Sequence, residues 1–353
     1  MTSFAADIVT WQRAHGRHDL PWQRNRDAYR IWVSEIMLQQ TQVATVIPYY
    51  ERFVARFPTV DALAQARLDD VLACWSGLGY YSRARHLYEA ALKIRDEHGG
   101  RFPSRREDIA ALPGIGRSTA AAISVFAFGA RDAILDGNVK RVLARVCGIS
   151  GYPGDTATAN ELWKAAERLL PADETEAYTQ GLMDLGATVC VRHRPKCLLC
   201  PAARRCVALR DGRVNELPTP RPRKALPHRT TVMLIVEHDG ELLLERRAAP
   251  GIWGGLWCFP EVSATDDAIA LCRRRFGADA HTLVPLPQVE HGFTHFNLTI
   301  SPHYLRVSSV APQAAEAEYQ WLQKDEVRNA AVPAPVGRIL DLMGAGAKPK
   351  HGT

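Results

Sequence analysis

The sequence predicts two domains of different class, an all-α N-terminal domain followed by a smaller α+β domain. Three observations carry this. Residues from about 4 to 189 repeat apolar positions at i, i+3 and i+4, with no strand-like alternation of any length. Four cysteines then crowd between Cys190 and Cys206. Beyond a proline-rich stretch, short apolar runs alternate around turn residues. At 353 residues the chain is long enough for each domain to bury its own core.

Taken in order, the helical spacing recurs in IVTWQRAH, YRIWVSEIM and RARHLYEAALKI. Pro58, the GLG at 77–79, the HGG at 98–100 and Gly148 punctuate these runs. The stretch NELPTPRPRKALPHRT carries four prolines and five basic residues, counting His228, and reads as a linker. In TVMLIVEHDGELLLERR two apolar runs flank HDG, which predicts a hairpin. DDAIALCRRRF reads as a helix, FNLTISPHYLRVSS as a further strand pair, and AGAKPKHGT as a disordered tail.

Composition excludes several classes. Hydrophobic content of 46% and charged content of 23% fit an ordinary globular protein. No apolar run reaches the roughly 18 residues a membrane helix needs. The first residues lack the basic and apolar blocks of a signal peptide, so a cytoplasmic location is expected, with the nucleoid as its setting in a bacterium. Eight cysteines in such a compartment argue against a disulfide framework. A net charge of +6 tilts the chain modestly toward polyanions.

Four short stretches carry chemistry. Cys190, Cys197, Cys200 and Cys206 are spaced C-x6-C-x2-C-x5-C, close enough to wrap one metal centre. Thiolates select zinc or an iron–sulfur cluster, and spacing alone leaves both open. In LPGIGRSTAAAISVFAFG, Gly114 and Gly116 flank one aliphatic residue ahead of a small-residue helix. Such a hairpin points backbone N–H groups at a phosphate, positioning DNA without reading bases. In LDGNVKRVLARV, Asp136 stands just ahead of a helix expected to begin near Asn138. Its ordinary role there is an N-terminal cap; its functional one is an anion beside a developing cation. Finally, WVSEIMLQQTQV sets a lone carboxylate, Glu35, among Trp32, Ile36 and Leu38, where burial would raise its pKa and make it an acid.

The order SEIMLQQTQ, LPGIG, LDGN and the cysteine run, over residues 1 to about 210, resembles the helix–hairpin–helix DNA glycosylase superfamily. Glu35 in its motif, with the C-terminal domain, resembles the MutY-type adenine DNA glycosylases. That resemblance implies a helix–hairpin–helix domain at 1–214 with a [4Fe-4S] loop at 190–206. It implies a linker at 215–229, a Nudix-like domain reading 8-oxoguanine at 230–343, and the tail at 344–353. Ser118 stands where endonuclease III-like relatives carry a lysine, so imine chemistry through that side chain is excluded.

The same resemblance assigns roles. Glu35 is the acid, Asp136 the anion at the sugar, Asn138 its partner, and Ser118 lies near the sugar. Gln40, Leu78 and Tyr80 contact the opened duplex, Gly114 and Gly116 its backbone. Trp22 and Gln180 line an adenine pocket, and Phe293, Thr294 and His295 read 8-oxoguanine, with Thr294 replacing the family's serine. The implied partner is double-stranded DNA holding adenine opposite 8-oxoguanine or guanine, bound by a monomer. GIWGGLWCFPE resembles the start of a Nudix box. With Gly277 as its closing glycine, Arg274 and Arg275 replace the metal-binding glutamates, so binding without hydrolysis is expected. Three other readings compete: a lesion-binding protein without catalysis, a glycosylase–lyase, and a nucleotide hydrolase.

Overall fold

The computed structural model describes residues 3–221, 225–248, 251–263, 268–276, 283–309 and 318–345. Its contacts form two compact units, Met1–Gln65 with His86–Arg223, and Ala66–Arg85 with Lys224–Thr353. The division is therefore not purely sequential.

The first unit is helical among its described residues. Its helices are α1 (Phe4–His15), α2 (Ala28–Leu38), α3 (Val43–Arg56) and α4 (Val60–Gln65). After α5 (Leu68–Trp75), which belongs to the second unit, come α6 (Ser82–His98), α7 (Arg106–Ala110) and α8 (Arg117–Phe128). The unit closes with α9 (Gly137–Cys147), α10 (Thr156–Arg168), α11 (Thr175–Thr188) and the short α12 (Val207–Arg210). Ile8 and Val9 of α1, Val142 and Leu143 of α9, and Leu182 and Leu185 of α11 form one core. The expected helix over SRREDIAAL shrinks to the five residues of α7, because Pro113-Gly114 ends it. Gly114 has φ of 75°, and a Cβ there would stand 2.7 Å from the Cβ of His86. Only glycine fits this bend between α7 and α8. Helix α9 begins at Gly137, with Asp136 as its cap.

The second unit joins α5 to a sheet. The predicted hairpin is β1 (His228–His238) and β2 (Glu241–Arg246), turning at Asp239-Gly240. Then follow β3 (Trp257–Cys258), β4 (Glu261–Val262), α13 (Ala268–Phe276), β5 (Val284–Pro285) and β6 (Val289–Gly292). The chain continues through β7 (Asn297–Arg306), β8 (Tyr319–Gln323), α14 (Lys324–Asn329) and α15 (Ala334–Ala345). NLTISPHYLR is one strand rather than the expected pair. β7 lies parallel to β1 from His228↔Asn297 to Glu237↔Arg306. Pro302 does not break it because pairing with β5 stops at His303, and the Pro302 carbonyl accepts from Leu286 N at 2.9 Å. Cys272 and Phe276 of α13 pack on Leu234, Val236, Leu243 and Leu305. The strand thus starts at His228, inside the span expected for the linker. Of the tail, 346–353 lie outside the described residues, as does Gly277.

Candidate active site

Glu35 projects from α2, whose start is fixed by Asp27 accepting from Arg30 N at 3.1 Å. Trp32 and Ile36, its neighbours along the helix, are buried. Burial is the main influence on Glu35, and the charge of Asp136 adds to it. Together they push its pKa up to about 8. The apolar setting read from the sequence is what the fold uses to keep a proton on this carboxyl.

Asp136 caps α9, its Oδ1 accepting from Val139 N at 2.7 Å, and its Oδ2 accepts from the Asn138 amide at 3.3 Å. Burial pushes its pKa upward, against the restraining N–H groups of Val139 and Asn138 and the charge of Arg141. The cap and the anion are one arrangement. Ser118 Oγ accepts from Leu135 N at 2.9 Å, tying the start of α8 to the loop that delivers Asp136. Both influences on Glu35 raise its pKa, whereas Asp136 has donors that favour its charged form. Two carboxylates sharing one site divide a single negative charge, and these donors place it on Asp136.

One cleft of the helical unit is lined by Trp22, Glu35, Gln40, Gly116, Ser118, Asp136, Asn138 and Gln180. Trp22 sets its ring edge on Tyr50, with centroids 5.3 Å apart. Gln180 donates to Asp184 Oδ1 at 2.9 Å, and Asp184, fully buried, also holds Arg17 at 2.6 Å. Gln40 is exposed with φ of 59°. Gly114 lies at the hairpin bend and not among the cleft residues.

Three contributors escaped the sequence reading. Arg17 and Asp184 anchor Gln180, and the i, i+4 spacing of Gln180 and Asp184 in an apolar helix was the available sign. Arg141 donates to Asn138 Oδ1 at 2.8 Å, to Gly186 O at 2.6 Å and to Cys190 O at 2.7 Å. Nothing in its sequence neighbourhood marks it.

Cys190, Cys197, Cys200 and Cys206 line one apolar cavity with Val142, Leu185 and Leu209. Arg145, almost fully buried, donates to Cys190 Sγ at 3.3 Å and to the carbonyls of Val191 and Leu217 at 2.8 Å each. Among the described residues, no three His, Cys, Asp or Glu side chains stand close enough to hold a metal ion directly. The thiols ring a space instead of converging on a point. Arg192, Arg194, Lys196 and Arg204 are exposed around them, while Arg205 is engaged by Asp7 at 3.1 Å.

In the second unit Leu78 is buried and Tyr80, with φ of 51°, is 43% exposed. Phe293 stacks on Phe296, ring centroids 4.3 Å apart, and sits 6.2 Å from the His295 ring; Thr294 lies between them on the same loop. Arg275 is held by Glu245 and donates to Tyr319 Oη at 3.1 Å.

The bend at Gly114 between α7 and α8 and a cleft lined by two carboxyls, Glu35 and Asp136, fit the DNA glycosylase class. Residues 33–168 match the HhH-GPD superfamily of base excision DNA repair proteins, and residues 231–342 match the NUDIX domain family. A solved thermostable thymine-DNA glycosylase superposes with TM-score 0.52 at 31% identity, covering 59% of this chain and 95% of its own. The adenine DNA glycosylase of Buchnera aphidicola (Acyrthosiphon pisum) is 37% identical over 96% of this chain and 97% of its own length. The Homo sapiens adenine DNA glycosylase is 34% identical over 96% of this chain and 74% of its own. The chain belongs to the adenine DNA glycosylase family, and it is a base excision repair enzyme that binds DNA.

Proposed function

We propose that this enzyme removes adenine paired with 8-oxoguanine, or with guanine, from duplex DNA by acid-assisted hydrolysis without cutting the strand. The observation that carries this reading is Glu35, which lines one cleft with Asp136 and whose pKa burial and the Asp136 charge push up to about 8. Adenine leaves as a poor anion unless protonated, so a positioned acid at N7 is the first need. The departing base leaves an oxocarbenium-like sugar, which an adjacent carboxylate stabilises. Asp136 supplies that charge, steered by Asn138 and the α9 N–H groups. Glu35, having given its proton to the base, accepts one from the attacking water. Ser118 offers no amine, so no imine forms.

The base must leave the stack to reach this cleft. Trp22 and Gln180 form the pocket; with its amide nitrogen committed to Asp184, Gln180 presents its oxygen to the exocyclic amine of adenine. Gln40, Leu78 and Tyr80 occupy the opened step, and Gly114 and Gly116 hold a phosphate. Phe293, Thr294 and His295 read 8-oxoguanine. With Arg275 committed to Glu245 and Tyr319, the Nudix-like domain binds and does not hydrolyse nucleotides. We place the glycosylase domain at 1–214, the linker at 215–229 and the lesion-reading domain at 230–343, acting as a cytoplasmic monomer.

The four thiols around one cavity fit a [4Fe-4S] cluster, a group wider than a single ion. When bound, it supplies a rigid, redox-capable anchor, and this chain's own Arg145 and Arg141 tie its loop to α9.

Single-turnover base release from duplexes with adenine opposite 8-oxoguanine, guanine or thymine tests the reading. Release from the first two, lost in Glu35→Gln at equal binding, is expected. Tight binding without release by the wild type would refute catalysis, and a borohydride-trapped adduct would refute the imine-free route.

A further inference from the structure

We propose that the turn at residues 251–256 is a brace that fixes two duplex-contacting elements, the Tyr80 loop and the lesion-reading Phe293–His295 loop, in one relation. The proposal rests on the lesion-reading function above. It names Arg85 and Trp253 as positioning residues for specificity.

On one side, Arg85 Nη1 donates to the Gly254 carbonyl at 2.6 Å. Arg85 closes the segment that displays Tyr80. Within that segment Trp75 Nε1 and Arg83 Nη2 both donate to Gly79 O at 3.1 Å, and the Arg83 guanidinium lies 5.2 Å from the Tyr80 ring centre. Ser76 Oγ and Tyr81 Oη add bonds to Val332 O at 2.8 and 3.3 Å. The Tyr80 loop is thus held by the same unit that carries the Phe293 loop.

On the other side of the turn, Trp253 is buried with φ of 56°, a left-handed conformation a bulky residue rarely holds. Such strain persists where the surroundings over-determine it, and it collects at functional clamps. Here Gly255 N donates to Arg247 O at 2.8 Å, and Arg247 N to Leu256 O at 2.9 Å, locking the turn to the end of β2. The Trp253 ring lies 5.5 Å from Phe293 and 5.7 Å from His291, and those two rings meet edge-on at 4.6 Å. Arg338 braces His291 in turn, donating to Glu290 O at 2.7 Å. Gly254 takes the Arg85 bond and its neighbour Trp253 takes the aromatic contacts. A rigid turn between them passes displacement of one loop to the other.

The test is the ratio of base-release rates from duplexes with adenine opposite 8-oxoguanine and opposite guanine. Arg85→Met and Trp253→Leu should each lower that ratio about ten-fold, the size of a coupling between residues in contact. Release from the guanine mispair should stay within about two-fold. Arg85→Lys, which keeps a donor for Gly254 O, should restore most of the ratio. Arg85→Met combined with Phe293→Ala should cost no more than Phe293→Ala alone. Losses that multiply in the double variant, or equal falls on both duplexes with a lower Tm, would overturn the brace while leaving lesion reading intact. A wild type that treats both duplexes alike would overturn lesion reading itself, and the brace with it.

Discussion

Moving the Glu35 carboxyl out of water and beside Asp136 raises its pKa from 4.5 to about 8, which fixes two signs. In the proposed mechanism the acid acts while protonated, so base release should fall as pH climbs past about 8, with one controlling ionisation on that limb. Stability follows the same shift. The unfolded chain gives up this proton near 4.5 while the folded chain keeps it to about 8, so folding grows more costly between these values. Glu35→Gln carries no charge to bury. Its Tm should match wild type at pH 4 and exceed it at pH 9, even as release is lost. Asp136 separates two roles in a different way. Asp136→Asn keeps an oxygen for Val139 N and should retain stability while losing about 100-fold or more in release. Asp136→Ala should lose the same activity and about 1 kcal/mol of stability besides, read by urea unfolding.

At the scale of elements, the hairpin between α7 and α8 hangs on one backbone angle. Gly114→Ala should cost about 1 kcal/mol or more, since φ is 75° and the new methyl meets His86. Duplex affinity should fall and its salt dependence weaken as a phosphate contact is lost. Under the proposed [4Fe-4S] assignment, Cys200→Ser in the cysteine loop should lower the iron content from about four per chain and weaken DNA binding. These elements were legible because each is local: four thiols within 17 residues, two glycines around Ile115, a carboxyl in an apolar helix. What could not be read lies across the fold. Arg141 gains meaning only when Gly186 and Cys190 arrive from 45 and 49 residues away. Arg17 waits on Asp184, 167 residues on, and an arginine in the loop after α1 has no local signature. The strand mistaken for a pair shows the same limit, since Ser301-Pro302 reads as a turn until β1 supplies a ten-residue partner.

At the scale of the whole molecule, the sequence changes texture at 215–229, and the fold divides within that stretch, between Arg223 and Lys224, but it also divides on either side of Ala66–Arg85. Ala66–Arg85 lies within the helical stretch of the sequence yet packs with Lys224–Thr353. Asp69 pairs with Arg246 at 2.7 Å, and Ser76 and Tyr81 bond Val332. A chain ending at 214 should therefore be less stable than the whole protein by more than a linker cut implies. Its first amide protons to exchange should be those of 66–85. If that segment stayed as protected as in the full chain, its partnership with the second unit would be of no account. The wider consequence concerns inheritance. A gene fusion or exchange broken within 215–229 would carry off the Nudix-like domain but leave behind a strip of its fabric. Such a protein is stitched through its own seam, and its halves are best passed on together.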